Sequence, residues 1–240
     1  MPKAIVQSRT WLSIIVPTLN ESANIGTALT ALQNCRATGA EVIVVDGGSS
    51  DDTVARAALL ADLVVTAPRG RASQLQAGVR HARGELLLFL HADSLLPVDA
   101  LQLIQAATRH GERWGRFDVT ITGEHPMLQI VARMMNVRSR WTGIATGDQG
   151  IFVARELLEA VGGVPQQALM EDIELSKRLR ASARPACLRA CVATSGRRWE
   201  KNGVWRTIWL MWRLRFAYWR GANPDDLRKQ YENPRPSLER

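Results

Sequence analysis

Three short apolar runs in the first 93 positions each lead into an acidic residue. The runs cover residues 14–16, 42–45 and 86–90, and the acidic residues that follow are Glu21, Asp46 and Asp93. Short, continuously apolar runs predict strands that are buried on both faces of a parallel sheet. Because ligands of open α/β sheets bind outside the carboxyl ends of the strands, the pattern predicts carboxylates along one edge of the sheet.

Segments with helical periodicity separate these runs in the first half of the chain. The predicted strands cover residues 12–16, 41–45, 63–66 and 85–90, and the predicted helices cover residues 21–35, 51–60 and 72–82. Ser49 or Ser50 is a candidate N-cap of the second helix. The alternation predicts an α/β fold with a Rossmann-like, mostly parallel sheet flanked by helices.

The regular alternation of strands and helices ends after Pro97. Further elements are predicted as helix 98–110, strand 115–121, helix 127–141, strand 150–153, helix 173–180 and strand 186–192. We therefore predict one domain over residues 1–200, with a nucleotide-binding half at about 11–96 and an acceptor and catalytic half at about 97–200. Residues 201–240 are predicted to form a C-terminal amphipathic helical extension and a tail that is frayed after Asn233.

The C-terminal extension carries an aromatic and basic segment at residues 204–221, which contains four of the eight tryptophans. On a helix, Arg206, Arg213 and Arg220 recur every seven residues and share one face, with Arg215 opposite them. Such a helix could pack against the domain, form a homodimer seam, or lie in a membrane interface with its arginines on headgroups.

Composition narrows the classes of partner. The 240 residues carry a formal net charge of +8, which favours nucleotides, nucleic acid or an acidic membrane face. Basic residues are scattered outside the C-terminal segment, which argues against nucleic-acid binding. The three cysteines suggest neither a disulfide scaffold nor a zinc site. With no predicted signal peptide or membrane span, we expect a cytoplasmic protein, at most peripheral at the inner face of the membrane.

The acidic strand ends suit a nucleotide. Asp46 precedes Gly47, which lets a planar ligand approach the backbone, and its carboxylate could accept from N3–H of uracil or N1–H of guanine. Glu21 could bind a ribose hydroxyl or simply face a helix N-terminus. Asp93 could hold a divalent cation that in turn holds a diphosphate.

Five segments taken together resemble a known family. In order along the chain they read IIVPTLNE, VVDGGSSDDT, GRASQLQAG, FLHAD and MEDIELSKRLR, and they cover residues 12–180. This series resembles the inverting family-2 glycosyltransferases, which have the GT-A fold. The combination of HAD, TGDQG and RRW is most similar to small soluble members associated with radical-SAM proteins in bacteria, some of them named for arsenosugar biosynthesis.

The resemblance implies a role for each matching residue. Pro17, Glu21, Asp46 and Gly47 would lie in the nucleoside site, and Asp93 would bind Mn²⁺ or Mg²⁺ on the donor diphosphate. Asp172 would be the catalytic base, with Glu171 beside it, although both could also be ordinary first-turn helix charges. Asp148 and Gln149 would border the sugar. The residues assigned to the donor site or to catalysis are thus Pro17, Glu21, Asp46, Gly47, Asp93, Asp148, Gln149, Glu171 and Asp172.

One position departs from the family pattern. His91 stands where the D-x-D motif usually has its first acid. A neutral imidazole can bind Mn²⁺ or donate to a ribose, but it adds no negative charge. The metal would therefore depend on Asp93 and on the phosphates.

Arginines are expected to complete the diphosphate site. Arg71 begins the helix after the third strand, where its guanidinium could reach a phosphate. Arg198 and Trp199 resemble the R-W part of a Q-x-x-R-W motif whose Gln position is Ser195 here. A solvated run of charges is the alternative interpretation of this segment.

The predicted activity is transfer of a sugar from a UDP- or GDP-linked donor to an acceptor hydroxyl whose identity the residues do not reveal. A polyprenyl-phosphate acceptor at the membrane surface is one alternative, suggested by the tryptophan-rich segment. A sugar-phosphate nucleotidyltransferase is another, but it would need a glycine-rich basic loop after the first strand, and VPTLNES lacks one.

Overall fold

Eight strands form one mixed sheet in the computed structural model, which describes residues 10–232. The strands are β1 (Leu12–Thr18), β2 (Ala40–Asp46), β3 (Leu63–Thr66), β4 (Leu86–Phe89), β5 (Ser94–Leu95), β6 (Trp114–Thr122), β7 (Ile151–Ala154) and β8 (Ala186–Ser195). Their order across the sheet is β3-β2-β1-β4-β7-β6-β8-β5. The α/β prediction is confirmed.

Helices cover both faces of this sheet and extend the chain beyond it. They are α1 (Ile25–Ala31), α2 (Gln33–Ala37), α3 (Thr53–Ala58), α4 (Arg71–His81), α5 (Ala100–Arg109), α6 (Met127–Thr142), α7 (Arg155–Ala160), α8 (Glu171–Ser182), α9 (Arg197–Asn202), α10 (Val204–Trp219) and α11 (Pro224–Glu232). A 3₁₀ turn at Gly147–Gln149 precedes β7. Within residues 10–232, no helix combines the length and apolarity that crossing a bilayer requires.

Strand direction changes at β4. The pairs β3–β2, β2–β1 and β1–β4 are parallel, whereas β4–β7 and β7–β6 are antiparallel. The β6–β8 pair is parallel again, and the short β5 runs antiparallel to β8. The carboxyl ends of β1, β2 and β4 therefore lie side by side, as the three apolar runs predict.

The alternation of buried side chains explains why these runs are continuously apolar. Ile14, Val42 and Leu88 point into a core on one face of the sheet, packed with side chains of α1 and α5. Ile15 and Ile43 point to the other face, into a core with α4, α7 and α8. Both faces are covered, so the central positions of these strands are apolar, and buried polar residues such as Ser13 and Glu41 lie near the strand starts, where they hydrogen-bond each other.

Several local predictions need correction. The helix predicted for residues 21–35 starts at Ile25 and breaks at Leu32 into α1 and α2. Neither Ser49 nor Ser50 caps α3, because its N-cap is Asp52. Helices α7, α9 and α11 and strand β5 are absent from the prediction. Residues 233–240, including the tail predicted to fray, lie outside the described part of the chain.

Glu41 provides a test of how the sheet is held to the turn before β4. Its buried carboxylate accepts from Ser13 Oγ at 2.6 Å and from the Arg83 N–H at 2.6 Å. Burial alone would raise the pKa of Glu41, but the hydrogen bonds from Ser13 and Arg83 outweigh it and lower the pKa. We expect Glu41→Gln to reduce the free energy of unfolding at pH 7 by about 1–3 kcal/mol.

The dependence on pH identifies the cause of this loss. As the pH falls through the lowered pKa, the folded wild type takes up the proton and loses its advantage over the Gln variant. Thermal or urea unfolding of both proteins across the acid range should show the difference shrinking. The exposed Glu112→Gln serves as the matched control, and an equal loss in that variant would contradict the interpretation.

Candidate active site

A cavity of about 540 Å³ opens at the carboxyl end of β4. This volume is in the range of small-molecule sites. Its walls come from the start of α4, the segment after β4, the 3₁₀ turn, the start of α8, and one face each of α9, α10 and α11. The predicted site residues that line it are Arg71, His91, Asp93, Asp148, Glu171, Asp172, Arg198 and Trp199.

Two acids open α8 on the cavity wall, and they have different environments. Asp172 Oδ2 accepts from the Gly147 N–H at 2.9 Å, and Oδ1 accepts from the Ile173 N–H at 2.7 Å. Glu171 is buried, and its Oε1 lies 3.2 Å from Arg71 Nε. Burial raises the pKa of Glu171, with Arg71 opposing and Asp172 reinforcing the shift. Glu171 is thus paired with the Arg71 guanidinium, whereas Asp172 accepts hydrogen bonds from backbone amides.

His91 and Asp148 form a second pair. His91 Nδ1 lies 3.2 Å from Asp148 Oδ1. Burial would raise the pKa of Asp148, but the hydrogen bond from His91 and the charges of Arg71 and Arg198 lower it below its usual value. A proton on Nδ1 leaves His91 Nε2 as an acceptor, and this buried nitrogen has no hydrogen-bond partner among the described residues.

Gly147 lets the two pairs come together. A Cβ built on Gly147 would collide with the Arg71 guanidinium and lie 2.6 Å from His91 Nε2. The side chains of Arg71 and His91 therefore occupy the space that any larger residue would need. The same glycine donates its N–H to Asp172.

Asp93 is a carboxylate that could hold a metal together with a bound diphosphate. It lines the cavity, and among residues 10–232 no three potential ligands are grouped closely enough to enclose a cation. Mg²⁺ and Mn²⁺ commonly bind one or two carboxylates and complete their shell with substrate phosphates and water. Asp93 fits that mode. His91 Nε2 fits less well, because the Arg71 cation already approaches it.

The acids at the first two strand ends do not line this cavity. Asp46 is buried, and its Oδ2 accepts from the N–H groups of Gly48 and Ser49, both at 2.8 Å. Glu21 accepts from Asn24 Nδ2 at 2.6 Å and lies 3.4 Å from Arg197 Nη2. The predicted row of carboxylates is therefore divided, with Asp93 alone facing the cavity.

Pro17 and Gly47 stand beside Asp46 at the same edge. Pro17 pairs with Val45 across the β1–β2 ladder, and the Gly47 N–H donates to Thr18 O at 2.9 Å. A Cβ on Gly47 would approach the buried Gln74 amide at 3.1 Å. A side chain at position 47 would therefore press on Gln74, whose amide hydrogen-bonds the ends of both strands.

Gln149 is a correction to the predicted sugar contacts. Its side chain is fully buried, donates to Ser139 Oγ at 3.0 Å, and accepts from the Thr146 N–H at 3.1 Å. The 3₁₀ turn sends Asp148 to the cavity and Gln149 behind it. Gln149 therefore supports the turn from within the protein.

Arg198 and Trp199 reach the cavity from α9. The Arg198 guanidinium stacks 3.7 Å from the centre of the Tyr231 ring and hydrogen-bonds the Tyr231 hydroxyl. Burial raises the pKa of Tyr231, with Arg198 opposing the shift. Trp199 also packs against the apolar cluster that includes Leu128 and Val204. Both residues thus have structural partners as well as a place in the cavity wall.

Three residues that shape the site are absent from the sequence prediction. Gln74 Nε2 donates to Thr18 O at 2.7 Å and to Val45 O at 2.8 Å, which fastens the ends of β1 and β2 together. Gly147 and Tyr231 were also missed. Gln74 and Gly147 lie inside the segments GRASQLQAG and TGDQG, whereas Tyr231 follows from the unpredicted α11 and had no signal of its own.

Comparison with known proteins decides the family. Residues 13–150 match the model of glycosyl transferase family 2. The chain belongs to this family. It is 30% identical to the PGL/p-HBAD biosynthesis glycosyltransferase of Mycobacterium tuberculosis over 62% of this chain and 61% of that protein. It is 25% identical to the probable glycosyltransferase YdaM of Bacillus subtilis over 88% of this chain and 54% of that protein.

Solved structures share the GT-A fold of this chain. A Pyrobaculum calidifontis mannosyltransferase, solved with GDP-Man and Mn²⁺, is 23% identical with a TM-score of 0.66 over 92% of this chain and 68% of its own. TarS of S. aureus, solved with UDP-GlcNAc, is 21% identical with a TM-score of 0.60 over 77% of this chain and 58% of its own. The chain thus spans about three fifths of the mycobacterial relative and about half of YdaM.

Gly147→Ala tests whether the close approach at this turn forms the site. The added methyl group must displace Arg71 and His91, so we expect weaker binding of UDP and GDP with a destabilisation of about 1–3 kcal/mol. Isothermal titration and thermal unfolding measure the two effects. Gly26→Ala is the matched control, because a Cβ there meets nothing within 4 Å. Unchanged nucleotide binding by the Gly147 variant would contradict this assignment.

Proposed function

We propose that this protein transfers a sugar from a UDP- or GDP-linked donor to an acceptor hydroxyl with inversion at the anomeric carbon, using Asp172 as the base. The observation that carries the proposal is the pair of acids at the start of α8. Glu171 is buried beside Arg71, whereas Asp172 faces the cavity and is oriented by the Gly147 N–H. Family membership and the sugar-nucleotide complexes of the fold neighbours support this class of reaction.

The reaction needs one carboxylate on the acceptor side of the sugar. The acceptor oxygen attacks the anomeric carbon from the face opposite the leaving group, and its proton passes to an Asp172 oxygen. The bond from the anomeric carbon to the phosphate oxygen breaks, and its electron pair leaves with the nucleoside diphosphate. Arg71 and Arg198 lie in the cavity wall, where their charges would stabilise that leaving group.

Asp93 would hold Mn²⁺ or Mg²⁺ together with the donor diphosphate. When bound, the ion would supply positive charge where the leaving group gains negative charge. His91 would serve this site by orienting Asp148 through its Nδ1 hydrogen bond. Its role as a metal ligand would require Arg71 to retract from Nε2.

Pro17, Glu21, Asp46 and Gly47 are the proposed nucleoside contacts. The buried Asp46 carboxylate fixes the turn through Gly48 and Ser49, and a flat base could lie against that turn. This arrangement would place the base at the ends of β1 and β2, with the diphosphate reaching towards Asp93.

A polyprenyl-phosphate acceptor is the second candidate. Helix α10 contributes Leu210, Met211 and Arg215 to the cavity wall, which places apolar and cationic groups at one side of the cavity. This combination suits an amphiphile with a phosphate head. Competition of short-chain prenyl phosphates with a sugar-alcohol acceptor in a transfer assay would distinguish the two classes.

Asp172→Asn removes the proposed base and keeps the shape of the side chain, and its amide oxygen can keep one of the two backbone hydrogen bonds. We expect transfer to fall by about 10²–10⁴-fold, with nucleotide affinity nearly unchanged. Product formation with a panel of UDP- and GDP-sugars, paired with titration of the free nucleotide, measures both quantities. Asp99→Asn is the control, an exposed acid at the N-terminus of α5. Retained turnover in the Asp172 variant would remove this residue from the base role.

Asp93→Ala tests the metal. In the wild type, Mn²⁺ should increase the thermal stabilisation given by the matching nucleoside diphosphate, because a ligand that binds only the folded state raises its stability. The variant should lose this increment while keeping the metal-independent part. The same scan with UDP, GDP, CDP and TDP identifies the base. Identical shifts with and without Mn²⁺ in the wild type would argue against a metal at this position.

A further inference from the structure

Helix α10 exposes a stripe of large aromatic side chains. The stripe residues recur at spacings of four and three, which places them on one helix face, and their side chains are 57–76% exposed. They are Trp205, Trp209, Trp212, Phe216 and Trp219. The opposite face is anchored by Leu210 and Leu214, which are buried in the apolar cluster with Leu227 of α11. The stripe therefore contributes little to packing the helix on the domain.

A second exposed stripe lies on α6. It consists of Ile130, Met134, Val137 and Trp141, again spaced by four and three residues, of which the first three are about half exposed and Trp141 is 87% exposed. The buried face of α6 shares one apolar cluster with the start of α10, where Leu128 and Ala132 are grouped with Val204. Two neighbouring helices thus both turn apolar residues outward, and patches of this kind mark interaction surfaces.

The two helices themselves carry charges of one sign, whereas α11, which packs on α10, contributes Asp225, Asp226 and Glu232. Neither α6 nor α10 contains an Asp or Glu, and the two helices carry six arginines, namely Arg133, Arg138, Arg140, Arg206, Arg213 and Arg215. The Arg213 guanidinium lies 4.9 Å from the Trp209 ring centre, and that of Arg220 lies 5.9 Å from the Phe216 ring centre. Cationic groups therefore border the aromatic stripe.

This charge pattern opposes a second copy as the occupant. A two-fold contact between α10 faces would bring the same patch of both copies together, with arginine near arginine and no acidic residue on either helix to pair with them. Aromatic rings flanked by arginines instead suit a boundary where apolar tails meet anionic headgroups. We propose that the aromatic stripe of α10, with that of α6 beside it, docks this protein on an anionic membrane surface.

Docking in this way would place the cavity close to the lipid. Arg215 and Met211 of α10 line the cavity, while the aromatic stripe occupies another face of the same helix. The cavity would then lie about one helix diameter, on the order of 10 Å, from the headgroups. The proposal goes beyond the proposed reaction and is tested by vesicle binding, so its failure would leave sugar transfer untouched.

Flotation of the full chain with vesicles provides the test. At low salt we expect the protein to float with phosphatidylcholine vesicles that contain phosphatidylglycerol, and to bind vesicles of phosphatidylcholine alone much more weakly. Tryptophan emission should shift to the blue as the exposed rings leave water. Raising the salt concentration should release the protein, because headgroup attraction is screened.

Variants separate the aromatic and cationic contributions. The double variant Trp209→Ala, Trp212→Ala should lose at least about tenfold in vesicle affinity. The pair Arg213→Gln, Arg220→Gln should lose about fivefold per arginine on anionic vesicles. The matched control Leu59→Ala, Val98→Ala removes exposed apolar side chains from elsewhere on the surface and should bind as the wild type does.

Three results would overturn the proposal. The wild type could remain in the soluble fraction with anionic vesicles, or the control could lose as much affinity as the tryptophan variant. Alternatively, light scattering could show a wild-type dimer that the tryptophan variant abolishes, with no vesicle binding by either. Thermal unfolding of every variant confirms that the compared proteins are folded.

Discussion

The candidate site depends on one backbone position, Gly147. Its N–H orients Asp172, and its missing side chain leaves the space that Arg71 and His91 occupy. Arg71 in turn pairs with the buried Glu171, and His91 is hydrogen-bonded to Asp148, the residue after Gly147. Charges taken out of water must be paired, so displacing one member leaves its neighbour with an uncompensated charge. A single glycine thereby fixes the relative positions of the Asp172 carboxylate, the Arg71 guanidinium and the His91 imidazole.

The reversal of strand direction at β4 explains how these residues meet. In the antiparallel β4–β7 pair, Phe89 at the end of β4 lies opposite Ile151 at the start of β7. The segment leaving β4 carries His91, and the turn entering β7 carries Asp148, so the pairing brings both to the same end of the sheet. In a purely parallel sheet the residues before β7 would lie at the opposite end. The mixed topology is therefore a condition for the site.

Much of this arrangement could be predicted from the sequence. Strands β1, β2, β3 and β4 were predicted to within two residues, because burial of both faces makes their apolar runs continuous. The short α7 and β5 carry too few residues to show a period. Gln149 was misplaced because sequence adjacency to Asp148 says nothing about direction within a 3₁₀ turn. The partition of Glu171 and Asp172 between two environments likewise required the packing of α4 against α8.

Core packing explains only one face of helix α10. Its buried residues Leu210 and Leu214 suffice to fix the helix, since one apolar stripe is what packing on a domain requires. The outward rings, among them Trp209 and Trp212, add exposed apolar area that folding does not use. This second apolar face, with Arg213 and Arg220 over two of its rings, is left exposed to water. The proposed membrane contact explains these exposed rings, because a bilayer is apolar inside and anionic at its surface.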